Sequence, residues 1–163
     1  MSGVSVELAS PHDLAAMEAL LTANQLPTAG LRDSLGTALV ARVGSRTIGS
    51  VALEVYPSGV LLRSVAVDTA WRGRGIGHQL TRAGLDLARS LGAEVAYLLT
   101  TTAGDFFPRF GVAPVERAEV PDDVQQSIEF TSACPSSALV MRAMLNEHVD
   151  EVSLSGRAFG AGR

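Results

Sequence analysis

Arg72-Gly73-Arg74-Gly75-Ile76-Gly77-His78 places three glycines at the entry of a long amphipathic segment. Ile76, Leu80, Ala83, Leu87 and Leu91 recur at helical spacing, and Gly92 ends the run. Glycines without side chains let a ligand touch the backbone. A helix that begins there aims unsatisfied N–H groups and the positive end of its dipole at that ligand. The combination predicts a phosphate or pyrophosphate site. A Walker loop needs a lysine, and the chain contains none. The spacing Gly73, Gly75, Gly77 also fails the Gly-x-Gly-x-x-Gly dinucleotide fingerprint. The alternative is a Gly-rich strand-to-helix turn with no ligand.

A second group lies just upstream. In Val51-Ala52-Leu53-Glu54-Val55-Tyr56 a carboxylate interrupts an apolar strand, and alternation puts Glu54 and Tyr56 on one face. Glu54 is the candidate general base; the alternative is an exposed carboxylate. Arg63 can hold an anionic group bidentately, or pair with Glu54 as a structural bridge. Glu129 is a weaker candidate and is expected to be solvated. Thr100, Thr101 and Thr102 either line a cleft at a strand end or are ordinary β residues.

The rest of the composition narrows the class. The chain has 163 residues, 47% hydrophobic and 18% charged, which is one globular domain with room for a core. Its net charge is −4, and no basic run offers a footprint for nucleic acid or an anionic membrane. The single Cys134 excludes an internal disulfide, and His12, His78 and His148 lack metal-ligand spacing, so no metal is expected. No apolar run of membrane-spanning length or signal-peptide pattern is present, so a cytoplasmic location is expected.

Patterning supplies the elements that must position these residues. Val4 to Leu8 alternates as a first strand. Ser10-Pro11-His12-Asp13 reads as a helix start, with Leu14, Met17, Leu20 and Leu21 as its buried stripe. A short helix is expected over Leu31 to Leu35. Three strands follow, over Ala38 to Val43, Thr47 to Tyr56 and Val60 to Asp68, joined by turns at Gly44-Ser45 and Pro57-Ser58-Gly59. After the central helix, Glu94 to Thr100 is strand-like and requires a parallel crossover. Helical stretches are expected over Thr102 to Phe110 and from Pro121 to about Ala133. Strands are expected over Val112 to Glu116 and Ala138 to Leu145. One domain over 1–145 and a polar tail over 146–163 follow. The order is α+β, a mixed central sheet flanked by helices, rather than doubly wound.

Arg-x-x-Gly-x-Gly after a strand ending Val65-Ala66-Val67-Asp68 resembles the acetyl-CoA signature of the GNAT acetyltransferase superfamily, and the element order is that of the GNAT fold. The resemblance runs from about Val4 to Leu145 and implies acetyl-CoA as cosubstrate and an amine as acceptor. By position, Val65, Ala66 and Val67 would offer strand backbone to the pantetheine arm. Gly73, Arg74, Gly75, Ile76, Gly77 and His78 would ring the pyrophosphate, and Arg72 matches the first signature residue. Phe107 stands where the superfamily often has a tyrosine that protonates the departing thiolate. Either the thiolate leaves as an anion, or Tyr56, Tyr97, Ser64 or water substitutes.

A narrower resemblance rests on the Leu61–Val67 stretch, Tyr97–Ala103, Asp105-Phe106-Phe107, and the Glu129–Pro135 stretch with Ala138 and Met141. Together these resemble the ArsN-type acetyltransferases associated with arsenic resistance, relatives of N-acetylglutamate synthase. That resemblance implies a small amino-acid-like acceptor such as arsinothricin, and a homodimer.

Overall fold

The computed structural model describes residues 3–101, 103–134 and 137–145. The expected tail over 146–163 lies outside them, as does Thr102. Among the described residues, seven strands form one mixed sheet in the order β1-β2-β3-β4-β5-β7-β6. β1 (Val4–Leu8), β2 (Ala38–Val43), β3 (Arg46–Tyr56) and β4 (Gly59–Val67) form an antiparallel meander. The chain then crosses over through α2 (Ile76–Ser90) to β5 (Val95–Thr100), which runs parallel to β4. β7 (Leu139–Met144) returns antiparallel beside β5, and β6 (Ala113–Pro114) adds a two-residue edge.

Both faces of this sheet are covered, so the central strands read as nearly continuous apolar runs. α2 packs on one face, where Ile76, Leu80, Leu85 and Ala88 meet Leu39, Ile48, Val51, Leu53 and Leu62. α1 (Leu14–Ala23) covers the other face with Met17, Leu20 and Leu21 against Val40, Ala52 and Ala66. On that second face Val120 and Val124, the latter in the single-turn α3 (Asp122–Gln125), close over Leu61, Tyr97 and Val140.

The entry to α1 is pinned at Asp13. Its carboxylate accepts the Ser10 N–H at 2.7 Å and takes Arg42 of β2 through two N–H groups at 2.7 and 2.9 Å. The Arg42 hydrogen bonds hold the Asp13 carboxyl down at about 2, well below the usual carboxylate range.

The structure corrects four expectations. Leu91 is 48% exposed; the buried stripe of α2 runs Ile76, Leu80, Gly84, Ala88, with Thr81 and Leu85 beside it. Gly84 belongs to the core because a Cβ there would lie 3.0 Å from Leu62 and 3.1 Å from Val51. Of the helix expected over Thr102 to Phe110, the described residues 103–110 form a turn followed by one 3-10 turn, Phe107–Phe110, which ends at Gly111 with φ +81°. The segment from Pro121 breaks after α3 and resumes as a π-helical turn, Glu129–Ala133. The expected helix over Leu31 to Leu35 is 3-10, Arg32–Thr37.

Candidate active site

β4 and β5 pair through only Val60↔Ala96 and Leu61↔Tyr97. Beyond that point they separate, and a cleft of about 1090 Å³ opens between Leu62–Val67 and Leu98–Thr101. A β-bulge in β4 shapes its wall. Ser50 opposes Ala66 and Ala52 opposes Arg63, so Ser64 and Val65 face Val51 alone. Ser64 takes φ +62°, an uncommon conformation for a residue with a Cβ. The Ser50 hydroxyl donates to the Ser64 carbonyl at 2.8 Å, which satisfies a group the bulge removes from the ladder.

One end of the cleft is the start of α2. Gly73 and Gly75 both take φ +81°, which side chains disfavour. The Gln79 N–H reaching the Gly75 carbonyl at 3.0 Å marks the first helical turn. The N–H groups of Ile76, Gly77 and His78 precede that bond and have no intrahelical acceptor. Val65, Ala66, Val67, Arg72, Gly73, Gly75, Ile76, Gly77 and His78 all line the cleft, as do Thr100 and Thr101. Arg74 turns aside: its guanidinium lies over the Trp71 ring, 4.7 Å from the centroid. Arg72 reaches back to the Asn24 side-chain carbonyl, and the Asn24 amide donates to the Val67 carbonyl at 3.3 Å. These bonds tie the glycine turn to the end of α1 and the end of β4. Phe106 lines the cleft beneath Gly77, and Phe107 belongs both to the cleft wall and to the core.

The other end is ionic. Arg63, fully buried at its side chain, lies between two carboxylates: Glu54 Oε2 at 2.8 Å and Glu129 Oε2 at 3.3 Å. It also donates to the Ser64 hydroxyl at 3.0 Å and the Pro27 carbonyl at 3.3 Å. The bridge between Arg63 and Glu54 is therefore present. Arg63, Ser64, Glu129 and Cys134 line the cleft. Glu54 and Tyr56 instead line a separate cavity of about 460 Å³. The Tyr56 hydroxyl donates to Glu54 Oε1 at 2.6 Å, and burial pushes its ionisation up to about 12.

Glu129 corrects the expectation of a solvated carboxylate, being only 6% exposed. Burial pushes its carboxyl above the usual range, and Arg63 only partly opposes that. The Cys134 thiol donates to Glu129 Oε1 at 3.2 Å; burial, with Glu129 beside it, pushes the thiol up to about 12. Sequence reasoning ranked Glu129 below Glu54, yet a signal existed. Arg63 sits inside the apolar run Leu61-Leu62-Arg63-Ser64-Val65, and a buried guanidinium needs several acceptors. Among the described residues, no group of three or more His, Cys, Asp or Glu is placed to hold a metal. No helix among them is long and apolar enough to cross a membrane.

A meander joined through a crossover helix to a splayed parallel strand, with the helix start at the splay, defines the GNAT fold. Residues 34–113 match the family model described as "Acetyltransferase (GNAT) domain". It is similar to an amino-acid acetyltransferase of Mycobacterium tuberculosis, 36% identical over 89 residues, which are 52% of this chain and 51% of that protein. The chain thus spans about half the length of that curated relative. Rv2747 of M. tuberculosis, solved in complex with CoA and NLQ, shares its fold with a TM-score of 0.73 at 24% identity, over 86% of this chain and 98% of that one. N-acetylglutamate synthase of Neisseria gonorrhoeae, solved with coenzyme A and N-acetyl-glutamate, does so with a TM-score of 0.75 at 18% identity, over 87% of this chain and 35% of that one.

Proposed function

We propose that this chain is an acetyl-CoA-dependent N-acetyltransferase acting on the free amine of a small amino-acid-like acceptor. The observation that carries the reading is the splay of β4 from β5, which opens onto the free N–H groups at the start of α2. Backbone at Gly73, Gly75, Ile76, Gly77 and His78 suits a diphosphate, and a Cβ placed on Gly73 or Gly75 would meet nothing within 4 Å. Arg72 supports the turn through Asn24 and adds positive charge at the cleft. Among the described residues, β4 from Arg63 to Val67 pairs with no strand on its β5 side, so the backbone groups on that edge are available to an extended amide-bearing arm.

The coenzyme supplies an acetyl thioester that a neutral amine attacks directly: a C–N bond forms, the C–S bond breaks and the thiolate leaves. Those N–H groups within Val65 to Val67 that point to the open edge of β4 are the donors available to the carbonyl oxygen as charge develops. Two carboxylates line the cleft; Asp105 is exposed, whereas Glu129 is buried beside Arg63 with its proton affinity raised, and Glu129 accepts the proton the amine loses. Phe107 offers no proton. A thiol's ordinary pKa of about 8.5 makes a free thiolate a tolerable leaving group. The acceptor lies near Arg63, Ser64, Thr100, Thr101 and Glu129. Arsinothricin or another glutamate analogue fits this description, supported by the amino-acid acetyltransferase and N-acetylglutamate synthase likenesses.

The test is thiol release with acetyl-CoA across a panel of amino acids, arsinothricin, phosphinothricin and short peptides, with products identified by mass spectrometry. Turnover of peptides but not of free amino acids overturns the acceptor class. Saturable coenzyme binding with no turnover of any amine leaves a non-catalytic binding module.

A further inference from the structure

Glu54 and Tyr56 carry the features of catalytic residues, yet they face away from the cleft. Their contacts give them a different task. Among the described residues, Arg63 is the cation that touches both Glu54 and Glu129, and the contact to Glu54 is the shorter one. The side chains of all three are nine-tenths buried or nearly so, where charge is poorly screened. Whatever share of the guanidinium's field Glu54 neutralises is withheld from Glu129.

Tyr56 acts on the same pair. Its hydroxyl donates to Glu54 Oε1, and Tyr56 shares the smaller cavity with Ser127. The Ser127 hydroxyl in turn accepts the Glu129 backbone N–H at 3.1 Å. The π-helical turn that carries Glu129 thus lies beside the end of β3 and is joined to it through Arg63.

We propose that Glu54 and Tyr56 are positioning residues which, from outside the cleft, set the proton affinity of Glu129 through the shared Arg63. The catalytic consequence rests on Glu129 being the proton acceptor; its titration does not. The charged and titratable groups around Glu129 are Arg63 on β4, Glu54 on β3, Cys134 at the end of its own turn, and Arg117, whose guanidinium stacks over Phe130 at 5.3 Å. Of these, burial and Glu54 raise the Glu129 carboxyl, while Arg63 and the Cys134 thiol lower it.

The experiment compares charge with shape at position 54. Glu129 is followed by 13C NMR of glutamate-labelled protein, its resonance assigned by its loss in Glu129→Gln. Glu54→Gln keeps the shape and removes the charge. Arg63 is then left to Glu129, whose midpoint falls by about one pH unit, a tenfold change. Glu54→Asp keeps the charge and shortens the side chain; the midpoint stays nearer the wild-type value. Tyr56→Phe removes the hydroxyl that partly satisfies Glu54, so Glu54 draws harder on Arg63 and the midpoint rises slightly. The acid limb of kcat/KM follows the same order.

A midpoint that does not move in Glu54→Gln, or that follows shape so that only Glu54→Asp shifts it, overturns the proposal. If Glu54→Gln does not fold, Tyr56→Phe with an unmoved or lowered midpoint overturns it equally. A shifted midpoint with an acid limb that survives in Glu129→Gln supports the tuning and refutes Glu129 as the acceptor, so the two failures are distinguishable.

Discussion

Replacing Gly77 by alanine separates the stability of the fold from its capacity to hold an anion. Gly77 is the second residue of α2, and its φ lies outside the left-handed region that favours glycine. A Cβ there would lie 3.7 Å from Val67 Cγ2 and 3.8 Å from Phe106 Cζ, which is ordinary van der Waals contact. The empty fold accepts the methyl group without strain. Alanine also restricts the unfolded chain, so Gly77→Ala should stabilise the ligand-free protein by about 0.5 to 1 kcal/mol. For a domain of this size that raises Tm by about 1 to 4 °C.

The same methyl enters the cleft between the end of β4 and Phe106, where a diphosphate has to approach the helix amides. Losing one hydrogen bond to a charged group costs about 1.5 to 3 kcal/mol, roughly a tenfold to hundredfold loss of affinity. Trp71, the only tryptophan in the chain, lines the cleft and reports binding by its own fluorescence. The assay is a fluorescence titration with coenzyme A, paired with thermal unfolding of ligand-free protein. A raised Tm with affinity unchanged within twofold refutes the role given to the Gly77 amide. A lowered Tm refutes the claim that the fold has room for the methyl.

Three further outcomes follow from particular contacts. Asp13→Asn should lose roughly 2 kcal/mol at neutral pH, because the carboxyl is held at about 2 when folded against the ordinary 3.8. That stability is present above the unfolded value and is lost as pH falls through the folded one, so urea midpoints of wild type and variant should converge between about pH 4 and 2. Ser64→Ala should be less stable than Ser64→Gly by about 1 kcal/mol in urea unfolding. Both lose the hydroxyl that meets Arg63, but only alanine keeps a Cβ at φ +62°. Cys134, held at about 12, should react with iodoacetamide at pH 8 on the order of a thousandfold more slowly than a free thiol; a rate near that of free cysteine refutes its burial beside Glu129.

The anion-binding end of the cleft was legible because its signals are local. Strand alternation, the glycines at 73, 75 and 77 and the helical period after them sit within a few residues of one another, and β2 and α2 begin where that pattern places them. Where the reading slipped, a residue's role depended on a distant neighbour. Leu91 looked like core and Gly84 did not, because a hydropathy pattern scores side chains, whereas the helix approaches β3 and β4 through the absence of one at Gly84. The expected helix over Thr102 to Phe110 gave way because Pro108 and the left-handed Gly111 leave room for one 3-10 turn.

The acceptor end was half legible for a reason of charge. Glu54 and Tyr56 lie two residues apart on one strand face, so their partnership could be read directly, and their alternation holds in the structure. What no strand pattern reveals is which side of Arg63 the cleft lies on. A buried arginine with five donors draws acceptors from every direction, and here they come from β3, from the Pro27 carbonyl, from its neighbour Ser64 and from the π-helical turn. The carboxylate nearest in sequence is the one turned away from the cleft. Glu129, which lines it, reaches Arg63 through a segment that follows β6 and takes its place by packing on β4 and β5. A charged residue inside an apolar strand therefore says that compensating groups exist, and their number follows from its donors. Which of them meets solvent and substrate is decided by tertiary packing, where the strand period carries no information.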